Sequence, residues 1–267
     1  MRHYLCVGAM FIKMSIQCAI EYPMRLVGWL LANPIQFIIG FATIRFVVQN
    51  FGTLGGWDYK QIAFLYGLAV ISHGFSIVLC IQFWYMGWYV VGGEFDLYLT
   101  RPMSVLFQYC FDIFNVIGVT DLIPGFIIFF YGCAQVEFKW TLYNLVAVIA
   151  VTIGALLIRG AVYLITGCTA FWTRSTNQLS DFFTGLFDRM THYPMTIYPR
   201  VIQIIFTFIL PFGFISFYPA SAFIGGESGF SFPPSAIWLT LGIGILMFAL
   251  ACFVFSRGLR QYDSAGS

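Results

Sequence analysis

From Leu142 to Phe171 the chain runs for 30 residues with one charged side chain, Arg159. A helix needs about 20 apolar residues to cross the hydrocarbon core of a bilayer, and backbone in that core must satisfy its own hydrogen bonds. A run of this kind is too long for a buried strand and too apolar for a solvated helix. Similar runs recur along the chain: Leu26 to Val48 with Pro34 and Arg45, Gln61 to Trp84, Gln108 to Tyr131 with Asp121 and Pro124, Val201 to Ile215 broken by Pro211, and Ile237 to Phe255. Only 9% of the residues are charged, against roughly 25% in a soluble domain. The expectation is an all-α membrane protein with six transmembrane helices over 26–48, 61–84, 108–131, 142–171, 201–215 and 237–255. No long internal repeat or low-complexity linker divides residues 1–267, so they are read as a single transmembrane domain with no room for a soluble catalytic one.

Two segments outside these runs are amphipathic. In residues 1–24, Val7, Met10, Phe11, Met14 and Cys18 recur at helical spacing opposite Lys13, Gln17 and Glu21, which predicts an interfacial helix at the amino terminus. Lys13 and Gln17 also argue against a cleaved signal. Leu179, Phe182, Phe183, Leu186, Phe187 and Met190 make a second apolar stripe opposite Asp181, Thr184 and Asp188, read as a second interfacial helix.

Orientation follows from the cationic residues. Assigning the amino terminus, the 85–107 loop, the 172–200 loop and the tail to one side gathers Arg2, Lys13, Arg25, Arg101, Arg174, Arg189, Arg200, Arg257 and Arg260, leaving Lys60 and Lys139 opposite. Positive loops stay inside, so both termini are expected in the cytoplasm. The seven cysteines are scattered singly, without the spacing of a zinc site or a disulfide framework.

Between the second and third runs lies Gly93-Glu94-Phe95-Asp96-Leu97-Tyr98-Leu99-Thr100-Arg101-Pro102, too polar and broken for hydrocarbon. Further on come Tyr193-Pro194-Met195, Ile197-Tyr198-Pro199, Leu210-Pro211-Phe212, Phe217-Tyr218-Pro219-Ala220 and Gly225. On these stretches the chain resembles permease subunits of type 2 ATP-binding-cassette exporters, in the ABC-2 family transporter branch. The resemblance covers the chain in length, span count and loop order. It implies a bacterial cytoplasmic-membrane, multi-pass permease that pairs with a second permease chain, identical or related, and with two ATP-binding subunits. It also implies that the 93–102 loop couples to the ATPase, with Glu94, Asp96 and Arg101 supplying charge, Phe95 within the motif, and Gly92, Gly93 and Pro102 fixing the chain direction. A solvated turn with ordinary caps is the alternative for any one of these residues. No Gly-Lys-Ser or Gly-Lys-Thr phosphate loop occurs, so ATP and Mg belong to the partner, this chain is not an enzyme, and no cofactor or nucleic acid is expected on it.

Ionisable residues within spans mark pathways or buried pairs. Arg45 and Asp121 either pair across helices or bind a charged cargo, and Arg159 faces a carboxylate such as Asp121 or a watery cavity. The aromatic residues Phe37, Phe41, Phe46, Phe75, Phe83, Trp84, Tyr85 and Trp88 either line a cavity for amphipathic or cationic cargo or serve as interface anchors and lipid-facing surface. His73 and His192 are read as packing residues, and Gly226-Glu227-Ser228-Gly229 has only a weak likeness to an intramembrane protease motif. The stretch from Phe217 to Pro234 either dips back into the outer leaflet or is an exposed loop. The other function class is an ATP-independent channel or secondary carrier, which calls for an acidic or histidine relay and inverted repeats with broken helices.

Overall fold

The computed structural model describes residues 2–112, 114–175, 178–226, 230, 232 and 237–262, and among them it is helical, with one isolated bridge between Leu54 and Trp57 and no strand. Helix α1 (Arg2–Glu21) gives way at Tyr22 to α2 (Pro23–Phe51), where proline suits the first helical position because no amide hydrogen is wasted there. Gly52 ends α2 at a φ of 82°, a conformation that glycine adopts freely. Helix α3 (Tyr59–Trp84) starts in a capping box: Asp58 accepts from the Gln61 amide at 2.8 Å, and the Gln61 side chain accepts from the Asp58 amide at 3.1 Å. Short helices α4 (Met86–Val91), α5 (Asp96–Leu99) and α6 (Val105–Asp112) follow, then α7 (Val119–Gln135), and α8 (Leu142–Cys168) capped by Thr141. After α9 (Ala170–Thr173) and α10 (Gln178–Met190) come α11 (Arg200–Ile204), continued by a π-helical turn Ile205–Ile209, and α12 (Phe217–Ile224). Helix α13 (Ile237–Arg260) closes the fold with Arg257 and Arg260 in its last turn, where cations offset the helix dipole.

Among the described residues, five helical stretches are long and apolar enough to cross a membrane: Leu26–Phe51, Tyr59–Val91, Val116–Gln135, Leu142–Thr173 and Ile237–Arg260. Helix α3 is the most buried of them, packed between α7 and α8, while α13 lies along α8. Lipid tails are as apolar as leucine, so close approach of backbones carries such packing. A methyl group at Gly154 would lie 2.6 Å from the Thr240 carbonyl oxygen, and one at Gly244 would lie 2.6 Å from the Gly154 carbonyl oxygen. The α8–α13 contact therefore exists only because both positions lack a side chain.

Three segments depart from the sequence reading. The third apolar run is interrupted: α6 stops at Asp112, a 3-10 turn over Val116–Gly118 capped by Asn115 follows, and α7 begins at Val119. The fifth run carries a helix only over Arg200–Ile209, since Pro211 cannot supply the amide that a further turn requires.

The third departure is α10. It packs against α8, with Ser180 and Phe187 buried and Leu179 and Phe182 exposed. Ser180 donates to Thr166 Oγ1 at 3.0 Å, close to the end of α8 where Gly167 abuts the Phe83 carbonyl of α3. Arg159, two turns further back along α8, donates to Thr191 Oγ1 at 3.0 Å. Thr196 then donates to the carbonyl of Gly55 at 2.6 Å, in the turn preceding α3. The chain from Ser180 to Thr196 thus passes from one end of the bundle to the other, as a helix, then a turn, then a 3-10 turn over Met195–Ile197 that follows Pro194. Amphipathic spacing identified a helix with two faces; what covers the polar face is a tertiary matter.

Candidate functional site

Each helix around α3 brings one polar group to the same depth. His73 lies in the middle of α3, Asp121 in the first turn of α7, Arg159 in the second half of α8 and Asp188 near the end of α10. His73 Nε2 is 3.8 Å from Asp121 Oδ2, and its Nδ1 is 3.4 Å from Asp188 Oδ1 and 3.5 Å from an Arg159 terminal nitrogen. The same Arg159 nitrogen is 3.9 Å from Asp188 Oδ1. Arg159 is fully buried, with its guanidinium 5.0 Å from the centroid of the Phe187 ring. Asp121 accepts a hydrogen bond from Asn33 of α2, whose amide also donates to Thr120 Oγ1 at 2.9 Å. His192, just past α10, packs its ring on Tyr66 and Phe37 and has its Nδ1 2.6 Å from the Asp188 carbonyl oxygen.

Placing a lone arginine at the centre of a bilayer costs about 3 kcal/mol on insertion scales. This cluster offsets that cost with one ion pair, a hydroxyl and a ring face. Beside it opens a cavity of about 720 Å³ whose lining includes Asn33, Phe37, His73, Tyr85, Trp88 and Asp121. Polar groups and aromatic rings converging on a concave space of this size are the usual make-up of a ligand site.

Asp121 and Arg159 therefore meet in one cluster, through His73. Arg45 does not join it, because its guanidinium sits 5.8 Å from the Tyr59 ring centroid toward the Phe51 end of α2. Of the aromatic set, Phe37, Tyr85 and Trp88 line the cavity, Phe83 is buried against Tyr109, and Phe46 points outward. Asp188, Thr191 and Asn33 were not singled out by sequence, and His73 was read as packing. The prolines Pro194 and Pro199 directly after an amphipathic helix were the available signal, because broken helices at membrane depth line cavities. Glu227, Ser228 and Gly229 lie outside the described residues.

At the end of the bundle where α3 stops, the 93–102 loop forms a second feature. Gly93 turns the chain at a φ of 75°. Phe95 is completely buried among Tyr98, Tyr109, Phe171 and Tyr262. Tyr98 donates to Asp112 Oδ2 at 2.6 Å, and Tyr262, beyond the end of α13, donates to Asp96 Oδ1 at 2.8 Å. Burial first, then the bond to Asp112, push the Tyr98 hydroxyl well above its ordinary pKa; burial and the bond to Asp96 raise Tyr262 to about 12. Phe95 and Tyr98 thus anchor the loop, while Glu94, Leu97, Leu99, Thr100, Arg101 and Pro102 face outward. Leu97 and Leu99, exposed by 59% and 45%, make an apolar strip between the charges of Glu94 and Arg101.

A family model described as ABC-2 family transporter protein matches residues 35–266. No curated protein and no solved structure gives a significant match.

Proposed function

Because the chain belongs to the ABC-2 family of transporter proteins, a family of membrane transport components, we propose that it is the permease of an ATP-driven exporter in a bacterial cytoplasmic membrane. In this reading one transmembrane domain pairs with a second permease chain, identical or related, and with two ATP-binding subunits that carry ATP and Mg. The pathway between the two bundles opens to one side or the other as the ATPases close. The observation that carries it is the 93–102 loop: an outward strip of Glu94, Leu97, Leu99 and Arg101 mounted on the buried Phe95 and Tyr98. Such a surface suits a partner that must push on the spans without slipping.

Six crossings fit this reading. The five long helices supply five, and the passage from Ser180 to Thr196 supplies the other, in place of 201–215. Helices α11 and α12 then form a hairpin dipping in from the outer side, with Trp57 against Phe217 at 5.3 Å. Removing Arg189 and Arg200 from the cytoplasmic set leaves seven cations, Arg2, Lys13, Arg25, Arg101, Arg174, Arg257 and Arg260, against Lys60, Lys139 and Arg200. Cytoplasmic termini still follow from that bias. Helix α1 would lie in the inner interface, packed on α6 with Met10, Met14 and Ile20 exposed.

The test is purification from the native membrane together with its neighbours. Co-purification of an ATPase, and transport that stops on ATP depletion, are expected; recovery without an ATPase and transport indifferent to ATP would remove the proposal. Replacing Glu94 and Leu97 should lower coupling and leave insertion intact. A second reading, an ATP-independent carrier, draws on the chain of Asp121, His73 and Asp188 across three helices. It predicts transport that collapses with the proton gradient instead.

A further inference from the structure

With both carboxylates ionised and His73 and His192 neutral, the cluster of Asp121, Asp188 and Arg159 carries one more negative than positive charge among the described residues. Arginine is always charged, and a neutral imidazole carries one proton. His73 turns one ring nitrogen to Asp121 and the other to Asp188, so a neutral His73 can serve only one of them as donor and faces the other with a lone pair. Arg159 lies beside Asp188, at 3.9 Å, and donates to Thr191, while its Nε is buried without a hydrogen-bond partner. Among the described residues Asp121 accepts a hydrogen bond from the neutral amide of Asn33 and has His73 Nε2 3.8 Å away. It is also the carboxylate that lines the 720 Å³ cavity. His192 sits against the Asp188 carbonyl, and its Nε2 has no hydrogen-bond partner, so no hydrogen bond joins it to Asp121.

The remaining walls suit the charge that is missing. Phe37, Tyr85 and Trp88 present aromatic rings to the cavity, and ring faces attract cations most strongly where water is excluded. Trp88 is exposed by 53%, which places it at the mouth. A small inorganic cation would gain little from these rings, and among the described residues no three His, Cys, Asp or Glu side chains converge as metal ligands. An anion would meet Asp121 without compensation.

We infer that the cavity beside Asp121 binds an organic monocation, with the Asp121 carboxylate as its counter-ion and Phe37, Tyr85 and Trp88 as its walls. The inference deepens the transporter reading by naming a class of cargo, but binding needs no ATPase. Tetraphenylphosphonium and tetraphenylborate share one shape and carry opposite charges, so they separate charge recognition from lipophilic partition. Binding of each is measured to the purified full-length chain in phosphatidylcholine nanodiscs, together with Asp121→Asn and Trp88→Ala. The expected result is saturable binding of the phosphonium alone, weakened about tenfold or more by Asp121→Asn and by a smaller factor by Trp88→Ala. Equal binding of both ions, or unchanged phosphonium affinity in Asp121→Asn, overturns it. Should Asp121→Asn fail to fold, Trp88→Ala decides, because its side chain is half outside the bundle: unchanged affinity there overturns the inference too. Phosphonium binding without ATP-driven export would leave this inference standing and remove the exporter; ATP-driven export of another cargo by a chain that binds no phosphonium would do the reverse.

Discussion

Arg159 donates to Thr191 Oγ1 at 3.0 Å, joining the middle of α8 to the first residue past α10. The contact adds to the Ser216 bond to the Thr191 carbonyl and the packing of Phe187 on Phe212 at this depth, and the guanidinium is also the fixed cation among two carboxylates. Arg159→Met keeps the length of the side chain and removes the charge, leaving Asp188 without its ion-pair partner. Arg159 is fully buried but the Asp188 side chain is 43% exposed, so the loss should fall below the roughly 3–5 kcal/mol of a fully buried pair, and unfolding of the purified chain by heat or denaturant should occur earlier. Adding Asp188→Asn should recover a large part of the loss. A double variant no better than Arg159→Met would mean that the ion pair is not what Arg159 contributes.

The passage from Ser180 to Thr196 predicts where water-soluble reagents reach. In a background without the seven native cysteines, Ile197→Cys should react with an impermeant maleimide added outside intact cells, and Ser175→Cys should react only after lysis. Labelling of both from one side would put α10 back on a surface.

Tyr262 ties the end of α13 to Asp96 of the 93–102 loop. Tyr262→Phe removes a bond worth about 1 kcal/mol net and keeps the ring against Phe95 and Phe171. Insertion should be unchanged, while the amount transported per ATP hydrolysed falls. Tyr262→Ala, which also removes the ring, should fall further. Equal coupling ratios in all three proteins would separate the tail from the loop's action.

The same contact has a pH signature. The Tyr262 hydroxyl is raised to about 12 from an ordinary value of about 10, so the docked state holds its proton more tightly than the undocked one. The stabilisation is complete below about pH 10 and is lost as pH rises toward 12. Ultraviolet difference titration of wild type against Tyr262→Phe should show one phenol ionising late, near 12. A difference centred at 10 would mean that the hydroxyl is not docked.

Gly154→Leu probes the α8–α13 seam, where a methyl already meets the Thr240 carbonyl. Overpacking of this kind typically costs about 1–3 kcal/mol. The variant should lower thermal stability without touching the cation site. Full stability would mean that α13 is not packed this closely.

The five long helices were legible because uninterrupted apolar length is a property of the sequence itself, as in Leu142 to Phe171. The interruption at Asn115 was less visible, since Val116 and Ile117 continue the apolar run and only the capping side chain of Asn115 marks the break. Asp121 and Arg159 stood out as charges in apolar surroundings, but their meeting through His73 depends on how α3, α7 and α8 are rotated. That rotation is set by close approaches such as Gly67 against the Phe129 backbone and Gly132 against that of Phe64. Asp188 was hidden for a different reason. On a helix with two faces, a charge reads as solvated unless the packing of its neighbours is known.

Helix α2 carries one wall of the cavity, through Phe37, yet little of it is buried, and Leu31, Ile35, Ile38 and Ile39 point away from the bundle. Its 26 apolar-stretch residues, Leu26–Phe51, make a rod of about 39 Å at 1.5 Å per residue, longer than the hydrocarbon core of about 30 Å. Such a rod leans to fit, and its lean sets how wide the mouth beside Trp88 stands. Lipid thickness thereby acts as a dial on access to Asp121. Phosphonium affinity should shift between bilayers of short and long acyl chains, and an affinity blind to chain length would show α2 to be clamped.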